Sequence, residues 1–394
     1  MNFETINSQA KLYFDQKKFQ EALKLLNRPD LPESLIPNLA KCYYYTSQAN
    51  TALELVLPLE KSQELWIDTA LYYNALGDHK KSFEIYKTLN QNDPKVLFNS
   101  GWHYLRENEF VEGFKRIVHG DKCNAWGHEY LYIKKGILQK ENRWNGNYTK
   151  HLLLILEGGL GDEMIFLRWA NYLKTKCEEL TILCNPSLLR LLTNSGYNCQ
   201  PHAVIQNIPH TAYCPAMSLP EIVKIQSPKE HVTFPYIKSF AEKYIIKQMD
   251  TLSQGRKKIG VRFYGNKEFE HDQFRSPPRE ELESLSCFGQ LFSLQIDEND
   301  DTIPNCKHLI KDWQDTYSVF KGLDLLVTSC TSIAHLAGAM GIKTIVLVPL
   351  VPYFVWASDD MPWYKDNLTI IRQTKYNDWM EAMQKLKEKV IELL

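Results

Sequence analysis

A spacing of 30 residues recurs through the first third of this 394-residue chain. Three series of similar side chains show it: Ala10, Ala40 and Ala70; Ala22, Ala52 and Ser82; and Tyr13, Tyr43 and Tyr73. The series continues at a spacing of 31 with Gly101, Tyr104 and Gly113. A repeat of this length constrains the fold strongly, because each unit must bury its apolar face against its neighbours.

Each unit has a small residue, an aromatic residue three positions after it and a second small residue twelve positions after the first. The pattern is typical of paired helices that cross closely at their small residues, as in tetratricopeptide repeats, whose usual period is about 34. It predicts about four such units over residues 1–120. Repeats of this kind bind a peptide or another protein on a concave surface, or they only brace the next domain. The pattern leaves both interpretations open.

Residues 121–148 are predicted to be a packed, aromatic connecting segment that ends in a turn. Beyond it, short apolar segments alternate with helical ones, which predicts parallel sheets covered by helices on both faces. The predicted fold class is therefore α + α/β, with two Rossmann-like halves over 149–250 and 251–375. The final helix, over 376–394, is expected to brace both halves. The strands are predicted at 152–156, 180–184, 258–263, 291–295, 323–328 and 344–348, and the helices at 164–170, 186–194, 238–250, 316–321 and 332–340.

A glycine-rich turn follows the first of these strands. It contains Gly158, Gly159 and Gly161, and then Asp162. The spacing fits neither a P-loop nor a dinucleotide fingerprint. The glycines would allow an acceptor to approach the backbone closely. Asp162 is then a candidate general base for an acceptor hydroxyl, or alternatively the N-cap of the following helix.

A second turn joins the strand at 323–328 to the helix at 332–340. The N–H groups and hydroxyls of Thr331 and Ser332 would form an anion site of the size of a diphosphate. His335, on the first helical turn, could donate to a phosphate. The alternative is an ordinary capped helix with His335 packed inside.

Arg275 is the candidate basic partner for that phosphate, because a guanidinium presents forked donors. Arg262, Lys267 and Arg279 compete for the role, and a solvated loop charge is the alternative. An aromatic segment over 349–356 could stack a nucleobase or sugar, or could simply be packed.

The composition limits the partners and the compartment. The formal net charge is −1, so attraction to nucleic acid or to an anionic membrane is not indicated. The chain has nine cysteines and no C-x-x-C pair, which favours free thiols in a reducing compartment. The sequence shows neither an apolar signal core near its start nor an apolar run of about 20 residues. We therefore expect a cytoplasmic protein without a membrane span.

Segments 151–173, 258–266, 274–278 and 312–349 occur in an order that resembles bacterial and phage fusions of tetratricopeptide repeats with a glycosyltransferase. The catalytic part is similar to the ADP-heptose:lipopolysaccharide heptosyltransferases. The resemblance implies a GT-B fold, a nucleotide-diphosphate sugar as co-substrate, inversion at the anomeric carbon, and no metal or other cofactor. It implies that Asp162 is the catalytic base. Thr331, Ser332 and His335 would then contact the donor diphosphate, with Arg275 as a basic partner.

The chain departs from the resemblance at Cys330, because many relatives have Asp there to contact the donor sugar. A thiol cannot accept strong hydrogen bonds, so the donor is expected to differ from ADP-heptose or to be held differently. The expected activity is an inverting, metal-independent hexosyl- or heptosyl-type transfer to a hydroxyl of a glycan, a protein or another biopolymer. The combination of helical repeats with a GT-B unit also looks like protein O-GlcNAc transferase, so a protein is one of the acceptors that the resemblance allows. The alternative is a non-catalytic repeat scaffold with a degenerate transferase domain.

Overall fold

The structure, a computed structural model, describes residues 3–123, 127–266, 272–297, 303–358 and 362–394. Lys267, one of the candidate phosphate partners, lies outside these residues. The chain opens with helices that pack in consecutive pairs. The pairs are α1 (Phe3–Asp15) with α2 (Phe19–Leu26), α3 (Ile36–Tyr45) with α4 (Ala49–Val56), α5 (Gln63–Ala75) with α6 (His79–Thr88), and α7 (Pro94–Arg106) with α8 (Phe110–Ile117).

The same turn joins the two helices of each pair. One residue of the turn adopts a left-handed φ between 57° and 87°, and the N–H of the next residue bonds five residues back at 2.8 to 3.0 Å. This arrangement closes the last turn of a helix by satisfying its free carbonyls. The left-handed residues are Lys17, Ser47, Gly77 and Asn108, at spacings of 30, 30 and 31.

Small residues lie where the helices of a pair cross. A Cβ on Gly101 would come within 2.6 Å of the Ile117 side chain, and one on Gly113 would come equally close to Leu105. Both distances are too short for a real contact, so α7 and α8 pack as closely as they do because these positions are glycine.

A first parallel sheet follows helix α9 (Glu129–Lys134). Its strand order is β3-β2-β1-β4, and its helices connect the strands in sequence. The elements are β1 (Thr149–Ile155), α10 (Leu160–Phe166), α11 (Ala170–Leu173), β2 (Cys177–Cys184), α12 (Leu189–Asn194), β3 (Cys199–Pro201), β4 (Ala212–Pro215) and α13 (Leu219–Ile222).

A second parallel sheet has the order β6-β5-β7-β8-β9. Its central strands are buried along their whole length, which is why they read as continuous apolar runs. The elements are α14 (Lys243–Ser253), β5 (Lys258–Arg262), α15 (Asp272–Arg275), α16 (Arg279–Glu283), β6 (Gln290–Ser293), α17 (Trp313–Gly322), β7 (Leu325–Ser329), α18 (Ser332–Met340), β8 (Thr344–Val348), β9 (Leu368–Arg372) and α19 (Met380–Leu393).

The sequence predictions differ from the structure at several elements. The helix after the glycine turn begins at Leu160 rather than Met164, and α14 begins at Lys243 rather than at residue 238. Strands β3, β4 and β9 were not predicted. The buried residues of α19, which include Leu386 and Val390, pack in one core with the second sheet. Among the described residues, α19 thus packs with the second half, and its predicted contact with the first half stays a prediction.

One continuous core joins the last helical pair to both sheets. It includes Phe114 of α8, Leu154 of β1, Ile165 of α10, Ala337 of α18 and Val346 of β8, all fully buried. The position of each half relative to the other is thus fixed by packing. In the part of the chain that the structure describes, every helix is too short or too polar to cross a membrane.

Three of the four helical-pair turns contact the second half at the carboxyl ends of its strands. Ser47 accepts a hydrogen bond from Asn377, Gly77 lies against Leu350, and Asn108 bonds to Ser358 at 3.5 Å. Leu350, Ser358 and Asn377 all follow β8 or β9. The helical pairs therefore cover this edge of the second sheet.

Candidate active site between the two sheets

The two turns singled out in the sequence meet in the structure. Helix α10, which follows the glycine turn, packs against α18, which follows the second turn. A Cβ on Gly161 would lie 2.9 Å from Cδ2 of His335 and 3.6 Å from Cα of Ser332. Parallel strands end at the same edge of their sheet, and here the two edges face each other. The carboxylate candidate and the anion-site candidate thus lie in one place.

Asp162 lies in the first turn of α10, because the helix starts two residues before it. Gly159 is the N-cap, and Oδ2 of Asp162 accepts a hydrogen bond from the Gly159 N–H at 2.8 Å. The carboxylate therefore caps the helix, but from the third helical position rather than from the N-cap position of the alternative hypothesis. The φ of Gly158 is +84°, and a Cβ there would lie 2.9 Å from the same oxygen. The turn thus requires glycine at 158.

The second oxygen of Asp162 is held from the other half of the molecule. Its Oδ1 accepts a hydrogen bond from the hydroxyl of Tyr353 at 2.6 Å. Burial raises the pKa of Asp162, while the bonds from Tyr353 and the Gly159 N–H act to lower it. A half-buried carboxylate with a raised pKa is a stronger base than one in water, which suits it to proton abstraction.

Two further carboxyls lie beside Asp162. Burial raises the pKa of Glu157 to about 8, and the Met217 N–H donates to it at 3.4 Å. Burial also raises the pKa of Glu163 to about 7, and the Asn185 N–H donates to it at 2.9 Å. Both acids bracket the glycine turn in the sequence. In the sequence, the one sign of their buried environment is that both come shortly after the apolar strand β1.

The second turn carries hydroxyls without partners. Thr331 is the N-cap of α18, yet its side chain makes no capping bond. The hydroxyl oxygens of Ser329 and Thr331 are buried and have no hydrogen-bond partner within the described chain. Ser329 is 0% and Thr331 is 5% exposed. Buried polar groups are nearly always satisfied, so these two hydroxyls at a helix N-terminus point to a ligand with acceptor oxygens.

His335 is enclosed in an aromatic cluster. Its Nδ1 is 2.9 Å from the Tyr364 hydroxyl, and its ring stacks on Trp356 with centroids 4.8 Å apart. Burial, followed by the charge of Arg168, lowers the pKa of His335 to about 3. The ring is therefore neutral and packed inside the protein, as the alternative interpretation of the sequence expected. If His335 contacts a phosphate, it does so as an uncharged hydrogen-bond donor. Trp356 and Phe354 are likewise buried, so this part of the aromatic segment is ordinary packing.

Arg275 lies near the second turn and is braced by an acid. Its Nε bonds to Asp272 at 2.8 Å. Burial raises the pKa of the Cys330 thiol to about 11, and the charge of Arg275 acts against this rise. Arg262 donates to the Leu294 carbonyl, and Arg279 pairs with Glu283. Of the described arginines considered, Arg275 is the one that the structure places by the anion-site candidate.

Among the described residues, no three His, Cys, Asp or Glu side chains lie close enough together to hold a metal ion. The chain matches no protein-family model and no curated protein.

Several solved structures are similar to the chain. The ADP-heptose LPS heptosyltransferase II of E. coli is 12% identical, with a TM-score of 0.43 over 61% of this chain and 99% of that one. A family 9 glycosyl transferase from Veillonella parvula is 10% identical, with a TM-score of 0.43 over 64% of this chain and 98% of that one. Similarity at this level supports no assignment of activity, which must come from the residues.

Proposed function

We propose that this protein is an inverting glycosyltransferase with a GT-B arrangement, which moves a sugar from a nucleotide-diphosphate donor to an acceptor hydroxyl. The observation that supports it most is the approach of the two turns. The helix that carries Asp162, whose pKa is raised, packs against α18 closely enough that a Cβ on Gly161 would lie 3.6 Å from Cα of Ser332. The turn before α18 carries two unpartnered hydroxyls. A base and an anion site on two turns that are in contact suit the transfer of a group from a phosphate to a hydroxyl.

The donor diphosphate would lie at the N-terminus of α18. An unsatisfied buried hydroxyl costs about 1–3 kcal/mol, and a phosphate that accepts from Ser329 and Thr331 would remove that cost. The Ser332 N–H and the helix dipole add to the site, and Arg275 is the nearby cation. His335 would support the turn from beneath and contact the phosphate only as a neutral donor.

Asp162 would remove the proton of the acceptor hydroxyl. As the acceptor oxygen bonds to the anomeric carbon, the bond from that carbon to the diphosphate oxygen breaks, and its electron pair leaves with the diphosphate. The transition state is oxocarbenium-like, by analogy with other glycosyl chemistry. The helix N-terminus and Arg275 would stabilise the leaving charge. The proposal assigns no metal or other cofactor to the reaction.

Tyr353 would act as a positioning residue. Its hydroxyl lies 2.6 Å from Oδ1 of Asp162, and its ring packs against Trp102 of α7 with centroids 5.6 Å apart. The base is therefore oriented by both the second half and a helical pair. An acceptor hydroxyl would use the remaining lone pairs of Asp162 or displace Tyr353 from it.

We propose further that the helical pairs are tetratricopeptide-like and that the protein works in the cytoplasm. The nine cysteines are all free thiols in the structure, as a reducing compartment would keep them. The contacts of three turns with the second half favour a bracing role for the pairs. A peptide or protein partner on their other surfaces is compatible with that role.

A non-catalytic scaffold is the second candidate, and one observation favours it. Both oxygens of Asp162 already accept hydrogen bonds within the protein, at 2.6 and 2.8 Å. A purely structural carboxylate would look the same. The two candidates differ in whether any nucleotide binds at α18 and whether Asp162 is needed for turnover.

A panel of nucleotide sugars tests the proposal, with donor consumption read by mass spectrometry and binding read by thermal shift. We expect one donor to be hydrolysed or transferred, and Asp162→Asn to lower that rate by about 10²- to 10⁴-fold. Glu163→Gln is the matched control, because it neutralises the adjacent acid and should leave most of the rate. Wild-type turnover in Asp162→Asn would sink the base assignment. A failure of every nucleoside diphosphate to stabilise the protein would favour the scaffold.

A further inference from the structure

Phe274 is an aromatic residue of the second half that lies in the core of the helical pairs. It belongs to α15, yet it packs in one cluster with buried residues of α3, α4 and α5, and it is 7% exposed. Its ring centroid is 6.0 Å from that of Tyr44 on α3. Because burial of an aromatic ring removes a large apolar area from water, this insertion attaches α15 to the helical pairs.

Helix α15 depends on such attachments because it is only four residues long. Isolated helices shorter than about 12 residues are marginal in water, so contacts with the surroundings must hold this one. Asp272 supplies a second attachment, on the side of the sheet. Its carboxylate accepts hydrogen bonds from the Gly265 N–H at 3.1 Å and from the Ser276 hydroxyl at 3.2 Å. The short helix is thus held between the second sheet and the helical pairs.

Arg275 is the residue after Phe274, and its guanidinium crosses the end of β5. A Cβ on Gly265 would overlap with this guanidinium, so the two groups are in direct contact. Gly265 comes three residues after the last residue of β5, and β5 pairs in parallel with β7. Parallel strands end at the same edge of their sheet. The guanidinium therefore lies at the carboxyl edge, beside the strand that leads into the anion-site candidate.

The ring of Phe274 also lies close to a residue that follows β9. Its centroid is 6.2 Å from that of Tyr376, whose hydroxyl accepts a hydrogen bond from the Ala49 N–H of α4 at 3.4 Å. Phe274 thus lies where the second and third helical pairs meet the second half. A displacement of these pairs would move Phe274 and, with it, the helix that carries Arg275.

This insertion differs from the contacts that the turns of the helical pairs make. Ser47 accepts from Asn377, and Asn108 bonds to Ser358, so each of these contacts joins a turn to a loop. Phe274, by contrast, shares a helix of four residues with Arg275. The position of the candidate phosphate partner is therefore coupled to the packing of the repeats.

We propose that Phe274 is a positioning residue of the donor site, which holds the Arg275 guanidinium beside the donor diphosphate through its burial among α3, α4 and α5. The inference rests on the proposed function. It makes the helical pairs a part of the donor site, beyond their bracing role. By linkage, a donor that binds Arg275 must also stabilise the docked arrangement of these pairs.

The test begins with calorimetric titration of UDP, ADP, GDP and CDP into the full chain, and the tightest binder is used with the variants. We expect Phe274→Ala and Arg275→Gln each to weaken its binding at least tenfold. Phe274→Leu keeps most of the apolar volume and should stay within about threefold of the wild type. The double variant with Phe274→Ala and Arg275→Gln should bind no more weakly than Arg275→Gln alone, because one residue acts through the other.

Phe14→Ala is the matched control. Phe14 is an aromatic residue of the same helical array, and it packs edge-on against Tyr45 with centroids 5.2 Å apart. Its loss removes a ring of the same size from the repeats without touching α15. We expect this variant to bind the nucleotide as the wild type does, even if its melting temperature falls.

Each failure has its own signature. If none of these nucleotides binds the wild type, the proposed function fails, and this inference fails with it. If one binds and Phe274→Ala binds it as tightly, this inference alone is overturned. Additive losses in the double variant overturn it as well, because Phe274 would then act independently of Arg275.

Hydrogen exchange gives a second measurement that needs no substitution. Bound nucleotide should slow the exchange of backbone amides in α3 and α5, which enclose Phe274, and should leave those of α1 as they are. Unchanged exchange in α3 and α5 with saturating nucleotide would contradict the coupling, even if Phe274→Ala failed to fold.

Discussion

The edges of the two sheets that face each other are built with opposite chemistry. The first carries three carboxyls with raised pKa, at Glu157, Asp162 and Glu163, and each accepts a backbone N–H. The second carries two buried hydroxyls without partners, at Ser329 and Thr331, and the cation of Arg275 nearby. The three carboxyls of the first edge are thus satisfied within the protein, whereas the two hydroxyls of the second edge are not. The difference teaches that the sheet with unmet hydrogen bonds is the side to search for a ligand.

The largest expected effect concerns Glu157, which is 3% exposed. Its pKa rises from 4.5 to about 8 on folding. The folded state thus binds this proton more tightly, so the contribution to stability is fully present below pH 4.5 and is lost as the pH rises to 8. At about 1.4 kcal/mol per pKa unit, the wild type should lose on the order of 5 kcal/mol of stability over this range, and Glu157→Gln should not show that loss.

Urea unfolding at pH 5 and pH 8 measures the effect of Glu157. The variant should match the wild type at the lower pH and exceed it at the higher one. Glu178→Gln, an exposed acid on β2, is the control and should show no such pH dependence. Equal pH dependence in wild type and Glu157→Gln would mean that the pKa of Glu157 does not rise on folding.

The contact between the edges is tested at Gly161. Alanine normally stabilises a helix relative to glycine, by about 1 kcal/mol. Here the added Cβ would meet His335 at 2.9 Å, so Gly161→Ala should cost about 1–3 kcal/mol instead. Gly159→Ala is the neighbouring control, whose Cβ meets only Asp162 at 3.4 Å. Thermal unfolding distinguishes them, and a stabilised Gly161→Ala would show that the two turns are farther apart.

The unpartnered hydroxyls of the second edge predict that one double variant keeps or gains stability but loses nucleotide affinity. Ser329→Ala with Thr331→Ala removes groups that have no protein partner, so the ligand-free protein should be as stable as the wild type or more so. Nucleotide affinity should fall by about tenfold for each lost hydrogen bond. Thr328→Val is the contrast, because that hydroxyl bonds to the Ser329 carbonyl at 2.9 Å and its loss should destabilise the free protein. Unchanged nucleotide affinity in the double variant would contradict the donor site.

The smallest expected effect is a shift of a pH profile. The Tyr353 hydroxyl acts to lower the pKa of Asp162, so Tyr353→Phe should raise that pKa further. The acidic limb of the kcat/KM profile should move to higher pH, while the rate at high pH changes little. A purely structural role for Tyr353 would lower the rate at every pH and leave the limb in place.

Local patterns predicted the second half well. The bounds of α18 and β8 are those expected, since buried parallel strands are apolar runs and Gly341 ends the helix with a φ of +73°. Strand β9 was missed, because its five residues are only partly buried and its apolar side chains are interrupted by Thr369 and followed by Arg372. The start of α14 was misplaced because its N-cap, Glu242, makes no side-chain capping bond that would mark it.

The candidate site was predictable only in part. The sequence indicated both turns, because glycine and small hydroxyl residues between a strand and a helix are a local signal. It could not show that the two turns touch, or that Tyr353 reaches Asp162 across 191 residues. The burial of His335 was equally hidden, since a histidine on a first helical turn looks the same whether it faces solvent or an aromatic cluster.

The turns of the helical pairs that rest on the second sheet have a consequence for biosynthesis. Asn108 and Ser358 are 250 residues apart, and Ser47 and Asn377 are 330 apart. Helical pairs form from local contacts and can fold as they leave the ribosome, whereas such distant pairings form late. The surfaces of these turns must therefore stay uncovered until the last strand has been made. The contact between these turns and the carboxyl edge of the second sheet is therefore the last step of folding, after β9 has been synthesised.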